Sequence, residues 1–175
     1  MTEIFSKGLI RPSAHDVDRE FRRFGATAGG RTPCSRAGER AVRNQCAVRM
    51  SVALSRAKGK DILADYGGGA LHSANCCEGA DAYPHITGAQ ILYRHLRDAL
   101  GFKFTRLTGG AAGLGMRKGL LFFDDVFIRD NGTAGDHIDF WDGRTYTNEA
   151  TGTGAPTGDL PMFDNARRGV WFCQL

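Results

Sequence analysis

The sequence predicts an α+β fold in which helices come first and an antiparallel sheet follows. Apolar residues recur three or four positions apart in several segments between residues 15 and 100. Short apolar runs of strand length, separated by turn signals, dominate the segment from residue 120 onward. A glycine-rich stretch, LTGGAAGLGMRKG at 107–119, divides the two parts. Helices and strands that are segregated in this way are typical of the α+β class.

Three helices are predicted, over residues 15–24, 45–58 and 87–100. Asn44 is the natural N-cap of the second helix, and glycines at 59 and 101 follow the second and third helices. The positions expected to face the core are Val17, Phe21 and Phe24 in the first helix, Ala47, Met50, Leu54 and Ala57 in the second, and Ile91, Leu92, His95, Leu96 and Ala99 in the third.

The strands are predicted from apolar runs at 120–123, 126–128 and 137–141, and from a final run at 169–175. Asp142 and Gly143 form a strong tight-turn signal, so the segment 145–148 is expected to return beside 137–141. The segment 151–161, rich in glycine, threonine and proline, is predicted to be a loop.

Length and composition indicate one soluble globular domain over residues 1–175. Apolar residues make up 42% of the chain and charged residues 24%, with a net charge of +4. No apolar run approaches the roughly 20 residues that span a bilayer, so membrane insertion is not expected. The N-terminus lacks the apolar segment of a secretory signal. No stripe of alternating aromatic and basic residues is present, and nucleic-acid binding is therefore not expected.

Cys46 is one of five cysteines and is predicted to lie in the first turn of the second helix. A buried cysteine is usually a small apolar side chain. At a helix N-terminus, however, the backbone N–H groups favour a thiolate, which is the nucleophilic form. The choice between these interpretations depends on whether a base lies nearby.

His137 is the best candidate for that base among the five histidines. It lies in the segment GDHIDFWDG, where polar and aromatic residues alternate with apolar ones. His137, Asp139 and Trp141 share one face of the predicted strand, opposite Ile138 and Phe140. By contrast, His95 lies on an apolar helix face and is expected to be a core residue.

Two residues are candidates to orient the imidazole of His137. Asn148 lies in the segment that returns after the Asp142–Gly143 turn, and an amide can fix the imidazole tautomer. Asp139 shares the face of His137 but is two residues along the strand, so its carboxylate is expected to be farther from the ring. Asn148 is preferred on this argument, and Asp139 is the alternative.

The segments NQCAVRMSVAL and GDHIDFWDG together resemble the peptidoglycan amidase effectors of type VI secretion systems. The resemblance is strongest to the fourth amidase-effector family, a papain-like group of the NlpC type, and covers roughly residues 40 to 150. It implies a papain-like fold with N-terminal helices packed on an antiparallel sheet. It also implies that Cys46 is the nucleophile, that His137 is the base, and that the third position falls at Asn148, where the family usually carries aspartate.

The same resemblance implies an activity and a set of partners. Members of the family are DL-endopeptidases that cut the amide between D-glutamate and meso-diaminopimelate in peptidoglycan stem peptides. The implied partners are the stem peptide, the type VI secretion apparatus and a cognate immunity protein. The protein would be made in the bacterial cytoplasm, exported without a signal peptide, and active in the periplasm of a target cell. The oxyanion would accept from the backbone N–H of Cys46 and from the amide of Gln45 or Asn44.

No metal and no cofactor is expected. His72, Cys76, Cys77 and His85 have the spacing H-x3-C-C-x7-H, which matches no tetrahedral zinc pattern. The glycine-rich stretch lacks the spacing of a phosphate-binding loop.

Two other functions are compatible with the sequence. A papain-like deamidase or acyltransferase that acts on a protein would use the same cysteine and histidine. A non-catalytic binding module would use only the basic surface.

Overall fold

The computed structural model describes residues 11–23, 46–58, 62–63, 71–72, 85–128, 132–146 and 161–175. Its helices are α1 (Ala14–Arg22), α2 (Cys46–Lys58), α3 (Ala89–Arg94) and α4 (Pro161–Asn165). Its strands are β1 (Leu71–His72), β2 (His85–Ile86), β3 (Thr105–Arg106), β4 (Gly119–Ile128), β5 (Ala134–Trp141) and β6 (Gly169–Gln174). A π-helical turn, His95–Ala99, continues α3, and a 3-10 turn, Gly110–Gly113, lies in the glycine-rich stretch.

The three predicted helices are present with slightly different limits. Ser13 caps α1 by accepting a hydrogen bond from the backbone N–H of Asp16 at 3.1 Å, so this helix begins one residue earlier than predicted. The third helix begins at Ala89 instead of residue 87, and its second half is a π-helical turn that the apolar spacing gave no reason to expect. Gly101, with φ of 69°, follows its end as predicted.

The buried faces of the helices agree with the predicted ones in α1 and α2 and differ in α3. Val17 and Phe21 are buried, as are Ala47, Met50 and Leu54. Ala57 is half-buried against the same core, and Phe24 lies outside the described residues. In the third helical segment Ile91 is 38% exposed and Ala99 is also exposed, so both predictions are wrong. The buried face consists of Leu92, Tyr93, His95, Leu96 and Leu100, and Ala99 lies in the π-helical turn.

The main sheet is antiparallel and has the order β3-β6-β4-β5. The runs at 120–123 and 126–128 belong to one strand, β4, whose register with β5 shifts between Phe123 and Phe127. Asp125 in this irregularity has φ of 57°. The final run forms β6, as predicted. Of the expected return segment 145–148, Tyr146 pairs with Trp141 in a single antiparallel bridge, and residues 147 and 148 lie outside the described residues.

The sheet has an apolar cluster on each face. Leu120, Phe122, Ile138 and Phe140 pack with α1, α2 and α3. Leu121, Phe123, Trp141 and Phe172 form the second cluster, together with Tyr146 and Met162. The predicted alternation of β5 is therefore confirmed, since Ile138 and Phe140 face the helices and Trp141 faces the opposite side.

Buried polar contacts join α1 to α2. The side chain of Glu20 is only 6% exposed, and its Oε2 lies 2.9 Å from Nη1 of Arg23 and 3.7 Å from Nε of Arg56. A buried carboxylate needs such partners to offset its loss of hydration. This arrangement holds α1 against the helix that carries Cys46.

Candidate active site

Cys46 is the first residue of α2 and forms no disulfide with another described residue. The residue is 8% exposed, and the next turns of the helix, with Ala47, Met50 and Leu54, are fully buried. Because the first backbone N–H groups of a helix have no partner within it, they present positive charge to this position. The thiol is thus held on a rigid element, at the end of the helix where the backbone N–H groups have no partner within the helix.

A buried serine fixes α2 relative to a second, two-stranded sheet that β1 and β2 form. The hydroxyl of Ser51 donates to the carbonyl of Ala47 at 2.7 Å and accepts from the backbone N–H of Ile86 at 3.2 Å. Ser51 and Ile86 are both fully buried. Since these hydrogen bonds lie one turn beyond Cys46, they restrict movement of the start of the helix.

His137 and Asp139 project from the same face of β5. His137 is opposite Phe123 and Asp139 is opposite Leu121 in the pairing with β4. Nε2 of His137 lies 3.1 Å from Oδ2 of Asp139, and both side chains are almost completely buried. The second oxygen of Asp139 accepts from the backbone N–H of Phe140 at 2.7 Å. The carboxylate is therefore held by its own strand and can in turn hold the imidazole.

Asp139 contacts one ring nitrogen of His137, and the other nitrogen is available for proton transfer. The remaining nitrogen, Nδ1, is buried and makes no hydrogen bond of normal geometry with a described residue. Cys46 lies close enough to act on the same ring electrostatically. An imidazole that is oriented through one nitrogen and open at the other has the geometry of a general base.

The electrostatics of the site favour a protonated imidazole. Burial of His137 opposes protonation, but it is outweighed by the negative charge of Cys46 and by the hydrogen bond and charge of Asp139. Together these raise the pKa of His137 to about 10. This direction is expected for a thiolate–imidazolium pair in which both charges are shielded from water.

Arg49 is a third charged neighbour, which the sequence interpretation passed over. It lies one helical turn after Cys46, and the charges of Cys46 and Asp139 both act on its guanidinium. Burial has the larger effect and lowers the pKa of Arg49. The i,i+3 spacing from the cysteine was the available signal, because residues three apart share a helix face.

The structure thus brings Cys46, His137 and Asp139 together. Asp139, expected to lie farther from the ring, is in direct contact with it. Asn148, Asn44 and Gln45 lie outside the described residues. His95 is buried, with Nε2 3.5 Å from the carbonyl oxygen of Ile62, and is a core residue as predicted.

Among the described residues, no group of three or more histidine, cysteine, aspartate or glutamate side chains could hold a metal ion. Cys76 and Cys77 lie outside those residues, and so does the side chain of His72. Within the same part of the chain, no helix is both long and apolar enough to cross a membrane.

The family of type VI secretion system amidase effector protein 4, Tae4, matches residues 42–172 of the chain. This range includes both segments that carry the cysteine and the histidine. The chain belongs to the Tae4 family. It is therefore an enzyme of the antibacterial amidase effectors, whose reaction is cleavage of the D-glutamate–meso-diaminopimelate amide of peptidoglycan. No curated protein matches the sequence significantly.

Solved structures of Tae4 proteins have the same fold as the chain. Tae4 from Salmonella typhimurium, in complex with the immunity protein Tai4 from Enterobacter cloacae, is 18% identical with a TM-score of 0.63. The match covers 94% of this chain and 99% of that one. Tae4 from Enterobacter cloacae, in complex with Tai4, is 16% identical with a TM-score of 0.60, over 94% of this chain and 98% of that one. The predicted papain-like α+β fold is confirmed.

Proposed function

We propose that this Tae4-family chain hydrolyses the D-glutamate–meso-diaminopimelate amide with Cys46 as nucleophile, His137 as base and Asp139 as the group that orients His137. The observation that carries the assignment is the buried His137, bound by Asp139 at Nε2 and under the charge of Cys46. A cysteine beside a histidine that a carboxylate orients is the arrangement of a cysteine hydrolase.

The reaction starts from the thiolate–imidazolium pair, in which Nδ1 of His137 already holds the proton of Cys46. The thiolate then attacks the carbonyl carbon of the scissile amide and forms a tetrahedral intermediate. The backbone N–H of Cys46, at the start of α2, stabilises the oxyanion, with Gln45 or Asn44 as the candidate second donor. His137 gives its proton to the leaving amine of diaminopimelate, and water, activated by the same imidazole, releases the D-glutamyl product from the sulfur.

Asp139 contributes by holding the ring and by stabilising its positive charge. Because its carboxylate contacts Nε2, the tautomer with a proton on Nε2 is favoured when the ring is neutral, and Nδ1 is left as the acceptor. Asn148, at the position implied by the family, remains the competing assignment for this role.

The family supports two further proposals about the biology of the chain. The two Tae4 structures described above are complexes with Tai4 immunity proteins, and we propose that a cognate immunity protein blocks this site in the producing cell. As a type VI effector the chain would pass through the secretion apparatus and act on peptidoglycan in the periplasm of the target cell.

The test is digestion of purified sacculi, with the released muropeptides identified by mass spectrometry. Wild-type protein should release fragments cut between D-glutamate and diaminopimelate, and Cys46→Ala should release none. Cys173→Ala is a matched control, because Cys173, like Cys46, is a buried cysteine that forms no disulfide with another described residue, but it lies in β6. Burial raises the pKa of Cys173 to about 11, which makes it a poor nucleophile. Intact sacculi after incubation with folded wild-type protein would reject the proposal and favour a deamidase or acyltransferase.

A further inference from the structure

A basic groove lies at the opposite edge of the sheet from His137. It has a volume of about 350 Å³ and runs along β3, the end of β6 and the glycine-rich stretch. Its charged lining residues are Arg11, Lys103, Arg106 and Arg117, and its described lining includes no aspartate or glutamate. Since β3 and β5 are the two outer strands, three strand spacings, or about 14 Å, separate the strand that carries Arg106 from the strand that carries His137.

Three arginines of the groove are held in the same way. Each guanidinium donates to a backbone carbonyl and stacks on an aromatic ring. Arg11 donates to the carbonyl of Gln174, and its guanidinium lies 5.4 Å from the ring centre of Phe102. Arg106 donates to the carbonyl of Arg168 and lies 5.8 Å from the ring centre of Trp171. Arg117 donates to the carbonyl of Leu114 and lies 5.2 Å from the ring centre of Phe172. Such contacts fix the orientation of a guanidinium without neutralising its charge.

Arginines elsewhere on the surface are in a different situation. Arg19, Arg22 and Arg97 each contact a carboxylate at 3.0 Å or less. By contrast, Arg106 and Arg117 are exposed and form no ion pair with a carboxylate of the described residues. Arg106 and Arg117 therefore present oriented positive charge that no described carboxylate neutralises, which is the arrangement of a site for an anionic ligand.

We propose that this groove is a second binding site for the sacculus and takes the free carboxylates of stem peptides that are not being cut. The inference rests on the proposed function, because it takes peptidoglycan as the substrate. Glutamate and diaminopimelate each have a carboxyl group beyond the one that continues the stem, so the polymer displays repeated negative charge. Guanidinium groups bind carboxylates through paired N–H donors. A contact remote from the cleaved bond would keep the enzyme on a polymeric substrate between cuts.

The shape of the groove favours this ligand over an anionic lipid surface. The groove is concave, and its hydroxyl groups, those of Thr105 and Thr108, suit a polar peptide or sugar chain. Binding to a lipid surface would use apolar side chains beside the cations. The large exposed apolar residues among those described, Ile91, Met116 and Ile128, are not part of the groove lining.

The experiment measures sedimentation of protein with purified sacculi in the Cys46→Ala background, where the sacculi stay intact. Adding Arg106→Gln and Arg117→Gln should weaken binding about tenfold, which corresponds to about 1.4 kcal/mol for the pair. The matched control adds Arg94→Gln and Arg167→Gln, which remove the same charge from exposed positions outside the groove. This control should lose less than about twofold, because distant surface charge acts only through screened attraction.

Binding is also measured on amidated sacculi, with a lysine pair of variants, and on anionic vesicles. Sacculi whose carboxylates have been converted to amides should not retain the Cys46→Ala protein. Arg106→Lys with Arg117→Lys, which keeps the charge, should bind more strongly than the glutamine pair and shows that loss does not come from misfolding. Equal loss in the groove and control variants, retention on amidated sacculi, or groove-dependent binding to anionic vesicles but not to sacculi would overturn the proposal. Retention without any cleavage by wild-type protein would instead reject the proposed function and leave the groove intact.

Discussion

Oδ2 of Asp139 contacts Nε2 of His137 at 3.1 Å, and a single residue separates the two along β5. Their side chains leave the same face of the strand, and both are removed from water. A single strand therefore supplies both the imidazole and the carboxylate that orients it.

We predict that Asp139→Asn lowers kcat for sacculus digestion by about 10³-fold, because the amide no longer fixes the imidazole tautomer or stabilises its charge. NMR titration of the His137 ring should show a lower pKa in this variant, since Asp139 raises it in the wild type. Asn148→Ala is the comparison variant and should cost much less. The reverse ranking of the two variants would assign the orienting role to Asn148.

A second prediction concerns stability as a function of pH. The pKa of His137 is raised from 6.5 to about 10 in the folded protein. Its protonation therefore stabilises the fold fully below the unfolded value of 6.5, and this contribution is lost as pH rises through about 10. Urea unfolding of wild type and His137→Gln across this range should show a difference in unfolding free energy that declines with pH. A constant difference would mean that His137 is neutral in the folded state.

Ser51→Ala tests the buried connection between α2 and β2. The substitution leaves the backbone N–H of Ile86 without its acceptor, at a cost of about 1–3 kcal/mol in the free energy of unfolding. Hydrogen exchange at the Ile86 amide should accelerate more than exchange along β4. Ser13→Ala, which removes an exposed helix cap, should cost about 1 kcal/mol and leave the Ile86 amide protected. Equal protection of that amide in Ser51→Ala and wild type would show that the hydrogen bond is not made in solution.

Phe122→Ala tests the core between the sheet and α3. The Phe122 ring is 1% exposed and stacks on Tyr93 with ring centres 4.1 Å apart. Its removal should lower the free energy of unfolding by about 3–5 kcal/mol, because the packed surroundings cannot fill the cavity. Ile128→Ala, on the same strand but 52% exposed, should change it by less than about 0.5 kcal/mol. Similar losses in the two variants would contradict the assigned core.

The sequence predicted the helices, the antiparallel sheet and the alternation of β5 because each produces a local, repeating pattern of apolar residues. The π-helical turn could not be predicted in this way, and Ala99, which lies in it, was consequently assigned to the wrong face. Ile91, which precedes the turn, was also assigned to the wrong face. The strand order was also inaccessible, because the position of β6 between β3 and β4 depends on pairing across long stretches of chain.

The site was partly predictable for a similar reason. A cysteine at a helix start and a histidine in an alternating strand are local features, and the family resemblance linked them. The contact of Asp139 with the ring depends on side-chain rotamers, which strand alternation does not specify. The aromatic support of Arg106 and Arg117 joins the glycine-rich stretch and β3 to β6, and nothing in the sequence marks these pairs.

The position of β6 has a consequence for synthesis. This strand follows every other described strand in sequence, yet it fills the space between β3 and β4. A ribosome must therefore release the segment Gly169–Gln174 before the sheet can close. The aromatic support of the arginine groove, which includes Trp171 and Phe172, is completed in the same step. A nascent chain that is interrupted before this segment cannot form the pairs of β6 with β3 and β4.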